Sequence, residues 1–201
     1  GDMLMILYVR EILAKHPGET ILVEVKCSQL LIDQIERLGG KAVIYKTGHS
    51  LIKAKMREIN AIMAGEMSGH LFFNDEYFGF DDATYAALRL LRILSNSQQP
   101  LSRLLEDLPR LYSTPEIRVH VPEEEKANYV KKAHTYLSSR YEYIDIDGIR
   151  AKMHGGWGLV RASNTGPELI IRAEGPNLEK LEEIKNELNR ALEPLNLDWV
   201  G

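Results

Sequence analysis

The segment Arg161-Ala162-Ser163-Asn164-Thr165-Gly166-Pro167 gathers a fixed cation, two hydroxyls, an amide and a glycine at what reads as a strand-to-turn corner. A guanidinium presents forked donors that match phosphate oxygens, short polar side chains add neutral donors, and a glycine lets successive N–H groups turn toward an anion. The same residues also suit a polar hairpin turn capped by Ser and Asn. A second segment, Gly65-Glu66-Met67-Ser68-Gly69-His70, lies between an apolar helix and the strand-like run His70-Leu71-Phe72-Phe73. There Glu66 can accept two hydroxyl hydrogen bonds and Ser68 can both donate and accept, while the flanking glycines permit a tight exposed loop. That chemistry reads sugar hydroxyls, and the same pattern also occurs in solvated turns.

The elements that must position these loops alternate. Asp2 is expected to cap an apolar helix that His16-Pro17-Gly18 stops. A β-rich run from Thr20 to Val25 precedes a helix from Gln29 to Leu38, a strand from Ala42 to Tyr45 and a helix from His49 to Asn60. In that last helix Ile52, Met56 and Ile59 share one face and Lys53, Lys55 and Arg57 are expected to be exposed. Asp81-Asp82 begin a further helix through Leu94, with carboxylates at the positive end of its dipole. Strand alternating with helix argues for an α/β domain, a mixed sheet between helices, over residues 1–110.

Beyond a hinge expected at Tyr112-Ser113-Thr114-Pro115, residues 111–201 follow another plan. A strand Ile117 to Val121 and a helix Glu123 to Ser138 precede strands near Ile149 to Met153, Trp157 to Ser163 and Glu168 to Ala173. A last helix carries Leu178, Leu181, Ile184, Leu188 and Leu192 inward. This predicts a small α+β domain, an antiparallel sheet with helices on one face.

The 201 residues carry a formal net charge of -4 with the charges interspersed, which argues against a nucleic-acid binder and makes any phosphate recognition local. One cysteine, Cys27, excludes an intrachain disulfide framework and fits a reducing cytoplasm. The most apolar run, Met3 to Val9, is far short of the roughly 20 residues needed to span a bilayer, so no membrane partner is expected.

Taken together and in order, these segments resemble the α-D-phosphohexomutase family, in its phosphomannomutase/phosphoglucomutase branch. The resemblance is carried by Val23-Glu24-Val25-Lys26, Lys46-Thr47-Gly48-His49-Ser50, Gly65 to His70, Gly79-Phe80-Asp81-Asp82 and Arg161 to Thr165. It implies interconversion of hexose 1-phosphate and hexose 6-phosphate through a bisphosphorylated sugar. Glu66 and Ser68 would bind ring hydroxyls, and Arg161, Ser163, Asn164 and Thr165 would bind the phosphate. Lys26 and His49 would stand at active-site positions that contact substrate or assist proton transfer. For Lys26 a snorkelling lysine at a sheet edge is the structural alternative, and for His49 a helix cap.

Members of the family are four-domain chains with a phosphorylated serine in the first domain and a metal loop holding Mg²⁺ in the second. Neither motif occurs here, and Asp145-Ile146-Asp147-Gly148 reads as a strand-end turn. The chain therefore looks like the third and fourth domains of such an enzyme, binding hexose phosphate, partnered by the missing N-terminal domains and inactive alone. Self-association through an apolar seam on the helix Met3 to Ile12 and the cleft side of the first domain is expected. A stand-alone sugar-phosphate-binding module is the alternative.

Overall fold

In the computed structural model, residues 1–195 and 197–199 are described. They divide into two compact units, Gly1–Pro109 and Arg110–Gly201.

The first unit runs α1 (Asp2–Lys15), β1 (Thr20–Glu24), α2 (Gln29–Arg37), β2 (Lys41–Tyr45), α3 (His49–Glu58), β3 (Met63–Gly65), β4 (Leu71–Phe73) and α4 (Ala83–Ser95). Its sheet has the order β2-β1-β3-β4, with β1 parallel to both neighbours and β4 antiparallel to β3. β1 is central and its Ile21, Leu22 and Val23 are fully buried, as expected of a parallel strand covered on both faces. The helices α1, α2 and α4 pack together, and α3 packs on β1 and β3. Close approach is possible because Gly65 has no side chain: a Cβ there would lie 2.7 Å from Met5 Sδ of α1.

Several local expectations are corrected. Asp2 is the first residue of α1 and not its cap; its buried carboxylate accepts from the Met3 and Ser28 backbone N–H groups, each at 2.9 Å. Asp82 caps α4, accepting from Tyr85 N–H at 2.9 Å, while Asp81 lies outside the helix and bridges Phe72. Lys53 and Lys55 are half-buried over the Phe80 and Tyr45 rings rather than fully exposed. The expected apolar seam on α1 is confined to Met3 and Leu4, because Met5 through Val9, Ile12 and Leu13 are buried. That removes most of the ground for self-association through this helix.

The second unit contains β5 (Tyr112–Ser113), β6 (Ile117–His120), α5 (Lys126–Ser138), β7 (Tyr143–Ile144), β8 (Ile149–Met153), β9 (Gly156–Ala162), β10 (Glu168–Gly175) and α6 (Leu178–Ala191). All its strand pairs are antiparallel, in the order β5-β10-β9-β8-β7 with β6 also on β10. The β8–β9 hairpin turns at His154-Gly155, both at positive φ, the geometry of a two-residue turn that follows the strand twist. Ala133 and Leu137 of α5 and Leu181, Ile184 and Leu188 of α6 form one core with Ile149, Ala151, Val160, Leu169 and Ile171 of the sheet.

Here too the periodicity misleads at element ends. Leu178 is 63% exposed because it opens α6 beyond the edge of the core. Glu123–Glu125 form a 3-10 turn before α5 rather than its first turn. The segment expected to be a hinge is built into the sheet: Thr114 N–H donates to Ala173 O at 2.9 Å and Thr114 Oγ1 accepts from Ala173 N–H at 3.1 Å.

Candidate functional site

In the first unit the polar loops follow the carboxyl ends of the parallel strands β1, β2 and β3, where open α/β sheets place ligands. Glu24 ends β1 and is fully buried. Its Oε1 accepts from Thr47 Oγ1 at 2.7 Å and lies 3.3 Å from Lys26 Nζ, and its Oε2 accepts from Met67 N–H at 3.1 Å. One carboxylate thus ties the loops after all three strands. Lys26, only 6% exposed, does not snorkel at a sheet edge.

Glu66 is also buried, its Oε1 accepting from Gly48 N–H at 3.1 Å and its Oε2 from the Ser68 hydroxyl at 3.3 Å. Gly48 holds φ 132, which a residue with a Cβ adopts only under strain, so the turn that aims this N–H at Glu66 requires glycine. Burial, reinforced by the negative charge of Glu24, pushes the Glu66 carboxyl above its ordinary pKa. Ser68 is exposed. His49 makes no capping bond; Gly48 is the N-cap of α3, and the exposed His49 ring lies 5.2 Å from that of His70, centroid to centroid. His70 Nδ1 stands 2.7 Å from Asp81 Oδ2. A carboxylate only accepts, so Nδ1 carries the proton and Nε2 is left as the second ring nitrogen available to a ligand.

The structure therefore gathers Lys26, His49, Glu66 and Ser68 around one group of loops. Sequence reasoning passed over Glu24, Thr47 and Asp81 as site residues, although each lies inside a segment it singled out.

In the second unit Arg161 lies on β9 opposite Ile170 and is 3% exposed. Its Nε donates to Asp147 Oδ2 at 2.9 Å, while its buried Nη2 has no hydrogen-bond partner among the described residues. Asp147 reaches it through the turn at Gly148, where a Cβ would stand 2.2 Å from Val160 O. The loop Ser163 to Pro167 joins β9 to β10. Ser163 Oγ lies 3.4 Å from Thr165 Oγ1 and accepts from Thr165 N–H at 3.3 Å, while Asn164 and Thr165 are exposed. The expectation that Gly166 supplies a special backbone turn is not met, because its φ is not positive and a Cβ there would make only ordinary contacts. Arg161, Ser163, Asn164 and Thr165 are thus one strand end and its loop.

Among the described residues no group of three or more His, Cys, Asp or Glu could hold a metal ion.

A mixed sheet between helices, followed by a separate antiparallel sheet packed against two helices, defines a two-domain protein of the α/β and then α+β type. Residues 1–112 match the profile of phosphoglucomutase/phosphomannomutase α/β/α domain III, and residues 116–191 that of the phosphoglucomutase/phosphomannomutase C-terminal domain. The chain belongs to the phosphoglucomutase/phosphomannomutase family. It is 42% identical over 196 residues to a phosphomannomutase/phosphoglucomutase of Pseudomonas aeruginosa, covering 97% of this chain and 42% of that protein. To a phosphoglucomutase of Neisseria meningitidis it is 41% identical over 202 residues, covering 98% and 44%. A solved phosphoglucomutase/phosphomannomutase family protein from Burkholderia thailandensis superposes with TM-score 0.88 at 38% identity, covering 98% of this chain and 43% of that one. The chain spans roughly two fifths of the length of these relatives.

Proposed function

We propose that this chain is the substrate-binding portion of a phosphohexomutase that interconverts hexose 1-phosphate and hexose 6-phosphate through a bisphosphate. The observation that carries the reading is the Arg161 guanidinium, buried and held by Asp147 through Nε, with Nη2 lacking a partner among the described residues. A desolvated cation beside a loop of short hydroxyl and amide side chains recognises a phosphate monoester. Glu66 and Ser68 supply acceptors and a donor for sugar hydroxyls, and Lys26 and His49 supply the groups beside them that can exchange protons.

The work assigned to these residues is binding and orientation. Positioning and electrostatic stabilisation account for most of the catalysis of phosphoryl transfer, so such groups contribute to rate even without bonding covalently to the phosphoryl group. We place the phosphoserine donor and Mg²⁺ outside these residues, in the part of the relatives that the chain does not span. A cytoplasmic setting belongs to the same reading, supported by a single, buried cysteine, Cys27.

Calorimetric titration of the chain with glucose 1-phosphate, mannose 1-phosphate and unphosphorylated glucose tests this. Both phosphates should bind and glucose should bind far more weakly. Equal affinity for glucose and its phosphate would remove the phosphate-anchor assignment. A coupled assay should show no turnover by the chain alone, and turnover near that of an intact mutase would refute the division of labour.

A further inference from the structure

Lys126 opens α5 and has no part in the reading above. Its Nζ donates to the carbonyl oxygen of Ser163 at 3.0 Å and to that of Gly166 at 2.9 Å, and it stands 2.8 Å from Glu123 Oε1. An ammonium has three N–H donors and no acceptor, so these contacts account for all of them. The Lys126 side chain is 11% exposed, whereas that of Glu123 is 68% exposed. Water screens the Glu123 charge, and the ammonium keeps most of its field on the loop side, where it is desolvated.

The two carbonyls bracket Asn164 and Thr165, the exposed tip of the loop. In a trans peptide the N–H points opposite to the C=O. Drawing Ser163 O toward Lys126 therefore directs the N–H of Asn164 to the other side of the loop. Lys126 also ties the start of α5 to a loop lying 37 to 40 residues further along the chain.

We propose that Lys126 is a positioning residue for the anion loop: from behind, without touching the ligand, it fixes the Ser163–Asn164 peptide so that its N–H faces the phosphate and adds positive potential there. The proposal rests on the reading of Arg161 to Thr165 as a phosphate-monoester site. It deepens that reading by naming what holds the loop in a binding shape.

The test titrates the 201-residue chain and its Lys126→Met, Lys126→Arg and Arg161→Ala variants with glucose 1-phosphate and with inorganic phosphate at two salt concentrations. Losing one charge-assisted anchor should weaken both ligands about tenfold in Lys126→Met and flatten the salt dependence. Lys126→Arg, which keeps charge and donors, should stay within about threefold of the unaltered chain. A residue that merely stabilised the fold would lower the melting temperature without this charge-dependent rescue. Should Lys126→Met not unfold cooperatively, Lys126→Gln, which keeps a donor but no charge, is read by the same criteria.

Unchanged affinity in a folded Lys126→Met, or Lys126→Arg as weak as Lys126→Met, overturns the role of Lys126 while Arg161→Ala still weakens binding. No phosphate-dependent binding by the unaltered chain, or unchanged affinity in Arg161→Ala, instead removes the phosphate-loop reading and this proposal with it.

Discussion

Lys26 Nζ lies 3.3 Å from Glu24 Oε1, two residues apart at the end of β1 and both buried. The same carboxylate also holds Thr47 and the Met67 N–H, so its removal strands groups from three loops. Breaking a buried ion pair from one side typically costs about 3–5 kcal/mol, because the remaining charge stays desolvated. Glu24→Ala should lose stability on that scale in urea unfolding. A loss under about 1 kcal/mol, the value of an exposed pair, would contradict this account of the carboxylate.

Glu66 makes a different prediction, set by pH. Burial and the neighbouring Glu24 raise its pKa above the ordinary 4.5, so the folded protein holds this proton more tightly than the unfolded chain does. Ionised Glu66 therefore costs stability at neutral pH, and the cost fades as pH falls through the raised value. Glu66→Gln should melt at or above the temperature of the unaltered chain at pH 8, with the difference shrinking as pH falls from the raised value toward 4.5 and absent below it. Hexose phosphate binding by the same variant should fall, since an amide offers fewer acceptors. A variant equally shifted at both pH values would show that Glu66 ionisation has no part in it.

The two loops should differ in their share of affinity. Arg161→Ala removes a charge-assisted contact and should weaken glucose 1-phosphate binding by about 1.5–3 kcal/mol, whereas Ser68→Ala, losing a neutral hydroxyl, should cost about 0.5–1.5 kcal/mol. Calorimetry on both variants gives the ranking, and the reverse order would count against the phosphate assignment.

Elsewhere in the first unit, Arg89 joins Asp75 at 2.8 Å and Glu11 at 2.8 Å, with the Arg89 and Asp75 side chains almost wholly buried. Arg89→Ala should destabilise by about 3–5 kcal/mol in chemical denaturation, again by leaving Asp75 buried without its cation. Nearby, the Arg92 hydrogen bond, opposed by slight burial and aided by Lys15, holds the Glu76 carboxyl down to about 2. Its contribution is present above the unfolded value of 4.5 and is lost as pH falls toward 2, so Glu76→Gln should flatten the melting curve in that interval.

Much of the architecture was legible in the chain itself, because it depends on neighbours in sequence. The three- and four-residue spacing of Ile52 and Met56, or of Leu181, Ile184 and Leu188, places these side chains on one helix face whatever lies opposite. Alternation in Ile117 to Val121 does the same for a strand. The polar residue types after β1, β3 and β9 marked the loops on which ligand chemistry could be built, because backbone freedom and side-chain donors are local properties.

What the local pattern could not decide was which of those residues meet. Glu24 reaches Met67 across 43 positions only because β1 and β3 lie side by side in parallel, and Lys126 reaches Gly166 across 40 only because α5 begins beside the β9–β10 connection. Whether Lys26 snorkels or is buried, whether Leu178 packs or faces water, and whether Asp2 caps a helix or holds Ser28 N–H were settled by the same long-range packing. Side-chain types and periodicity are written residue by residue, whereas burial, ion pairing and a shifted carboxyl pKa depend on groups brought near from elsewhere in the chain, and only the tertiary structure brings them there.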